Sequence, residues 1–255
     1  MPAIEQKLIT SINRPHRNLT KLKGVVVHYT ANYSRGANAI AHYNYFNRTI
    51  RVNGVIRKVS AHYMVDDERV LQLIPDAEVA FHCGAVSGLP YTDLANNVIR
   101  ESGLSANEFL IGIEMCVNVD GLWGKTYAHT VELTGGLLRK HGLGLDQLYR
   151  HYDITHKLCP KMFVEAPSLW TQFKNDVQFV AKGNNVSQIR RAVVVPKELN
   201  VRSSPQFDPQ NPNFNLVRRI PTNEVVHIYE QADGGWSHIG IGEWVKTSFL
   251  RILID

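Results

Sequence analysis

The sequence predicts an α/β domain followed by a small all-β barrel. Three observations carry this. Short β-branched runs alternate with stretches of helical periodicity as far as residue 181. The polar stretch Lys182-Gly-Asn-Asn-Val-Ser-Gln then breaks that alternation. Beyond it, short β runs follow one another closely, separated by turns such as Asp233-Gly234-Gly235. The expected organisation is a first domain over 1–181, a linker over 182–191 and a barrel over 192–255.

Taken in order, Lys7 to Thr20 reads as an irregular lead-in, and Val25-Val-Val-His28-Tyr29, bounded by Gly24, as a short buried strand. Ala37, Ile40, Ala41, Tyr45 and Phe46 recur at helical spacing, which predicts a helix from Ser34, as N-cap, to Asn47. Asn53-Gly54 marks a turn. Arg57 to Asp66 and Arg69 to Ile74 read as a hairpin closed by Asp66-Asp67-Glu68. From Gly84 to Asn107 the pattern dissolves, apart from a short helical piece at Leu94 to Glu101; so long a segment suggests a functional loop. Ile111 to Val117 is the next strand. Helices follow at Tyr127 to Lys140, stopped by His141-Gly142, and at Ser168 to Ala181. In the barrel, strands are expected at Ala192–Val195, Leu199–Arg202, Val225–Gln231, Trp236–Ile239 and Glu243–Lys246.

Composition narrows the function. A chain of 255 residues with 44% hydrophobic content can bury a full core. Its net charge of +5 is mild and comes without Lys/Arg blocks, which argues against a nucleic-acid-binding arm. Three cysteines do not make a disulfide framework, and Cys83 and Cys116 read as small buried hydrophobes. Met1 to Lys23 is charged throughout, so no secretory signal is expected, and no apolar run of 18 residues suggests membrane insertion. The expectation is synthesis in the cytoplasm, and no protein partner is evident.

The chemistry concentrates in His151-Tyr-Asp-Ile-Thr-His-Lys-Leu-Cys159-Pro160. A thiolate and a neutral imidazole are ordinary zinc ligands, and a catalytic zinc site uses three protein ligands and one open position. His28, ending an apolar run, is the candidate for the third, so that a strand end holds one ligand and a loop the other two. Glu114 interrupts the apolar run Ile111–Val117. A carboxylate there either points to solvent from an edge strand or is buried, where desolvation raises its pKa unless a partner compensates.

Five motifs stand in the order of one family. Val25-Val-Val-His28-Tyr-Thr-Ala31, Ser60-Ala-His62-Tyr-Met-Val65, Phe81-His82, Ile111-Gly-Ile-Glu114 and His151 to Pro160 resemble the zinc N-acetylmuramoyl-L-alanine amidases related to peptidoglycan-recognition proteins, above all those of phage and prophage endolysins. The resemblance covers Gly24 to Val180. It implies a mixed central β-sheet flanked by helices and one zinc ion per chain held by His28, His151 and Cys159. Glu114 would be the general base and acid, and Lys157 would stabilise the oxyanion. His82 would line the substrate groove. His62 reads as a substrate contact or as a core group beside the metal. Leu199-Asn-Val-Arg-Ser-Ser-Pro205, Gly234-Gly-Trp236-Ser-His-Ile and Gly242-Glu-Trp244-Val resemble a bacterial SH3 domain, which implies an SH3-like barrel that binds cell wall. Tyr229, Trp236 and Trp244 are its candidate wall contacts, with Trp236 and Trp244 equally eligible for the barrel core. The implied partner is the peptidoglycan of a Gram-positive wall, reached after release from the cytoplasm. The rival readings are a peptidoglycan-binding protein without activity and a cytosolic amidase that recycles soluble muropeptides. Two departures stand out: the segment before Glu114 is long, and Ala61 stands where some relatives carry a tyrosine near the metal.

Overall fold

The computed structural model describes residues 3–253. The chain divides into two compact units, Met1–Val177 and Gln178–Asp255.

The first unit is built from β1 (Ile4–Gln6), β2 (Gly24–Tyr29), α1 (Ala39–Phe46), β3 (Ile50–Val52), β4 (Val55–Arg57), β5 (Tyr63–Val65), β6 (Val70–Gln72), β7 (Leu110–Met115), α2 (Trp123–His141), β8 (Leu148–Arg150), α3 (His151–Thr155), α4 (Lys161–Glu165) and most of α5 (Pro167–Ala181). Six strands make a mixed sheet in the order β1-β6-β5-β7-β2-β8. β5, β7, β2 and β8 run parallel; β6 is antiparallel to β5 and parallel to β1. The three strands β7, β2 and β8 therefore end on the same edge of the sheet. Crevices beyond the carboxyl ends of parallel strands are where open α/β sheets place their ligands. The central strands are apolar on both faces, as strands covered on both sides must be. Around them lie one cluster with Met64, Leu71, Ile74 and Phe46 and another with Val26, Ile99, Phe109 and Ile154.

Several elements depart from the sequence reading. α1 starts at Ala39, not after Ser34. Gly36 takes a left-handed φ of 74°, which ends any helix there, and Asn38 caps instead by accepting from the Ala41 amide at 3.0 Å. The run expected as one strand from Arg57 to Asp66 is two. β4 closes a hairpin with β3 across Asn53-Gly54, and the intervening backbone spends its donors elsewhere: Val59 on the Asn13 side chain, Ser60 on Phe81, His62 on Gly112. Within 84–107 the helical piece is a single π turn, Ala95–Ile99, capped by the Thr92 hydroxyl on Ala95. β8 went unpredicted, and so did β1, the edge strand that precedes the lead-in. α2 ends as expected, at Gly142 with φ 63°.

The second unit holds β9 (Arg190–Val194), β10 (Glu198–Arg202), β11 (Leu216–Pro221), β12 (Val225–Ile228), β13 (Glu230–Ala232), β14 (Trp236–Gly240), β15 (Glu243–Lys246) and β16 (Leu250–Ile252). They form two antiparallel sheets, β11-β10-β15-β14-β13 and β12-β9-β16, over a core that includes Val194, Val201, Ile220, Ile228, Ile239 and Val245. The run expected as one strand from Val225 to Gln231 changes sheets at Tyr229: β12 pairs with β9, and β13 with β14. Trp236 is buried under the Lys246 ammonium, 4.4 Å from its ring, so of the two readings given for it the barrel core is the one that holds.

Candidate metal centre and active site

Strand register assembles the site. His28 pairs with Glu114 across β2 and β7. On the other side Val27 pairs with Arg150, the last residue of β8, which brings the next residue, His151, level with His28. His151 thus stands at a strand–helix junction, as the first residue of α3, and not in the loop expected for it. α3 is one turn long. His156, in the left-handed region at φ 58°, ends it, and the chain folds back until the Tyr152 amide donates to the Cys159 carbonyl at 3.0 Å. That return carries Cys159 beneath the two histidines.

The ligand atoms of His28, His151 and Cys159 all lie within 4.8 Å of one another, and all three residues are buried. Cys159 Sγ is 3.8 Å from His28 Nδ1, and the rings of His28 and His151 meet edge to face at 4.7 Å. Burial pushes the Cys159 thiol up to about 12, an effect that Glu114 reinforces and a backbone hydrogen bond from Tyr29 opposes. Burial also depresses both imidazoles, His151 to about 3, so both rings are neutral. Nδ1 of His151 is buried without a hydrogen-bond partner, which is costly unless something else occupies its lone pair. Two neutral imidazoles and a thiol fit zinc, whose charge makes a coordinating thiol a thiolate. The residues present fit the metal.

Glu114 is the anomaly the sequence flagged. Its Oε2 is buried and unpartnered, and burial raises its pKa to about 7, with the Lys157 charge pulling the other way. Lys157 is exposed, and its positive charge opposes the raised pKa values of Glu114 and Cys159 and adds to the lowering of those of His28 and His151.

His82, expected to line the substrate groove, and His62, read as a substrate contact or a core group, both spend their ring nitrogens inside the protein, which for His62 is the second of its two readings. His82 lies behind His28, its Nδ1 at 2.9 Å from His28 Nε2 and its Nε2 at 3.1 Å from the Leu110 carbonyl. His62 donates from Nε2 to the Glu78 carbonyl and accepts the Gly112 amide on Nδ1. Every ring nitrogen of the pair is engaged within the protein, which leaves neither for substrate. Sequence reasoning passed over Thr30, the residue just after β2 and two beyond His28, whose hydroxyl is buried without a partner. A threonine in a β-branched run carries no signal of that kind.

Residues 18–162 match the family model Amidase_2, N-acetylmuramoyl-L-alanine amidase. This chain belongs to that family. It is 35% identical over 182 residues to N-acetylmuramoyl-L-alanine amidase CwlL of Bacillus licheniformis, covering 71% of this chain and 47% of that one. N-acetylmuramoyl-L-alanine amidase BlyA of Bacillus subtilis (strain 168) is likewise 35% identical, over 187 residues, with the same coverage. The chain spans about half the length of the curated relatives it matches. Among solved structures, the catalytic domain of XlyA superposes with a TM-score of 0.53 at 30% identity, covering 68% of this chain and 98% of that domain. A mutant endolysin from Bacillus subtilis gives 0.54 at 30% identity, covering 69% and 99%.

Proposed function

We propose that the chain is a zinc-dependent N-acetylmuramoyl-L-alanine amidase that hydrolyses the bond between the lactyl group of N-acetylmuramic acid and the L-alanine of the stem peptide. The observation that carries this reading is the pairing of a buried His–His–Cys cluster with an orphaned carboxylate one strand away. Zinc held by His28, His151 and Cys159 would supply Lewis acidity, lowering the pKa of water and polarising a carbonyl. Glu114, poised near pH 7, takes the proton of the attacking water and returns it to the leaving amine. The Lys157 charge faces the same cluster and stabilises negative charge developing on the carbonyl oxygen. A protein that only binds peptidoglycan has no use for an unpartnered buried carboxylate beside such a cluster, because the group costs stability.

The reading extends to a lysis enzyme of the endolysin type, acting on the Gram-positive wall after release, with the second unit as an SH3-like wall anchor. In that unit Trp244, His238 and Tyr229 form a row of half-buried rings, His238 lying 4.8 Å from Trp244 and 5.9 Å from Tyr229. Such a row suits a sugar or peptide chain laid across strands, and tethering raises the local concentration of the hydrolase at an insoluble substrate. Digestion of purified Gram-positive walls tests the chemistry: new L-alanine amines should appear without new reducing sugar ends, and a chelator should stop the reaction. Reducing ends without amines would sink it. Trp244→Ala in the full chain should keep cleavage of soluble muropeptides while weakening co-sedimentation with walls; undiminished sedimentation would remove Trp244 from the anchor.

A further inference from the structure

His28 is tied to a second imidazole, and the directions of the hydrogen bonds decide what that tie does. A backbone carbonyl only accepts, so the contact between His82 Nε2 and the Leu110 carbonyl puts the proton of His82 on Nε2. The His82 ring is buried and no carboxylate is among its hydrogen-bond partners, so it is held as the neutral imidazole. Its Nδ1 therefore presents a lone pair, and His28 Nε2 must donate to it across 2.9 Å. A neutral His28 with its proton on Nε2 has a free lone pair on Nδ1, the atom 3.8 Å from Cys159 Sγ.

The seat of His82 is built as tightly as the bond. Gly112 lies under the ring: a Cβ there would come within 2.6 Å of His82 Cγ and Nδ1, far inside contact distance. Gly112 is itself held by its amide bond to His62 at 2.9 Å, and His62 by its bond to Glu78 at 2.8 Å. On the far side the His82 amide donates to the Asn107 side chain at 3.0 Å. The glycine between Ile111 and Ile113 thus has a reason that the strand pattern alone does not supply.

We propose that His82 is a positioning residue that holds His28, through a hydrogen bond seated on Gly112, in the tautomer and ring orientation that turn Nδ1 toward the metal. The proposal rests on His28 being a zinc ligand. Residues that accept the outer N–H of a metal-bound histidine typically contribute 10- to 100-fold to metal affinity.

The experiment compares zinc affinity, by competition with a chromogenic chelator, in the parent, His82→Leu, His82→Asn and Gly112→Ala, with circular dichroism reporting the fold. His82→Leu should bind zinc about 10- to 100-fold more weakly. His82→Asn, which can return an acceptor oxygen near the position of Nδ1, should recover much of that loss. Gly112→Ala removes no polar group yet should weaken zinc too, and adding His82→Ala to it should cost little more, since the clash and the bond disappear together. Folded His82→Leu with parental affinity would overturn the proposal, as would Asn performing no better than Leu. The zinc-free parent supplies a test that does not depend on the variants folding. Long-range nitrogen–proton NMR correlations should show both His28 and His82 protonated on Nε2, and a proton on His28 Nδ1 would overturn the assignment. A parent that binds no zinc while showing both Nε2 protons would instead count against the metal reading alone.

Discussion

Asp76 and Glu114 belong to the same unit and both withdraw a carboxylate from water, yet their surroundings are opposite. Asp76 receives hydrogen bonds from the Tyr63 hydroxyl, from Gln72 at 3.1 Å, and from Lys140 and His141 at 2.8 Å each. Burial alone would raise its pKa; the bonds from Lys140, Tyr63 and His141 more than offset that and hold it below the ordinary carboxylate range. Glu114 has no donor for its buried oxygen, and burial takes it to about 7. One carboxylate is held by its donors; the other has its pKa raised by what is missing around it, as the general base and acid proposed above requires. A buried acid is thus informative only together with its partners.

That contrast can be broken at either end. The largest expected effect is upstream of both: Cys159→Ala should release most of the zinc and bring wall hydrolysis to background, and full zinc retention by elemental analysis would reject the ligand set. Next, Glu114→Gln should keep fold and zinc and lose about 10²–10⁴-fold in turnover; near-normal hydrolysis would reduce Glu114 to a structural group. Asp76→Asn should do the reverse, destabilising the unit by about 3–5 kcal/mol in denaturant unfolding while the folded variant turns over normally. A turnover defect larger than the unfolded fraction explains would undo the comparison.

The pH dependence sharpens it further. A general base must be unprotonated, so activity should rise with pH through the Glu114 titration. The Lys157 charge holds that pKa down, so Lys157→Met should move the acid limb to higher pH; an unmoved limb would mean that another group controls it. The smallest effect concerns the stability of the zinc-free protein. Asp76, lowered on folding, contributes stability above its unfolded pKa that is lost as pH falls through its folded value. Glu114, raised on folding, favours the folded state below its unfolded pKa, and that contribution is lost as pH rises toward 7. Glu114→Gln should accordingly stabilise the zinc-free protein by roughly 1–3 kcal/mol at pH 8 and by nearly nothing at pH 4.

Local pattern was enough to place β2, β7, α2 and α5, because period, caps and breakers act within a few residues. It also raised His28, His151 and Cys159 as candidate ligands and marked Glu114 as an anomaly in an apolar run, whereas the role expected of Lys157 came from the family resemblance. Only the tertiary structure decided which atoms meet. The separation of 131 positions between His28 and Cys159 holds no information on a 3.8 Å contact until the register of β2, β7 and β8 is fixed. The same holds for His82, expected to line the substrate groove, and for His62, left between a substrate contact and a core group. The motifs alone could not separate these uses; Leu110, Glu78 and Gly112, from distant parts of the chain, occupy ring nitrogens of the pair. Trp236, left open between wall contact and barrel core, is buried in the interior. Residue type specifies what a side chain is able to do; the partners that folding brings to it decide which of those things it does, since a hydrogen bond already made is no longer available to a ligand.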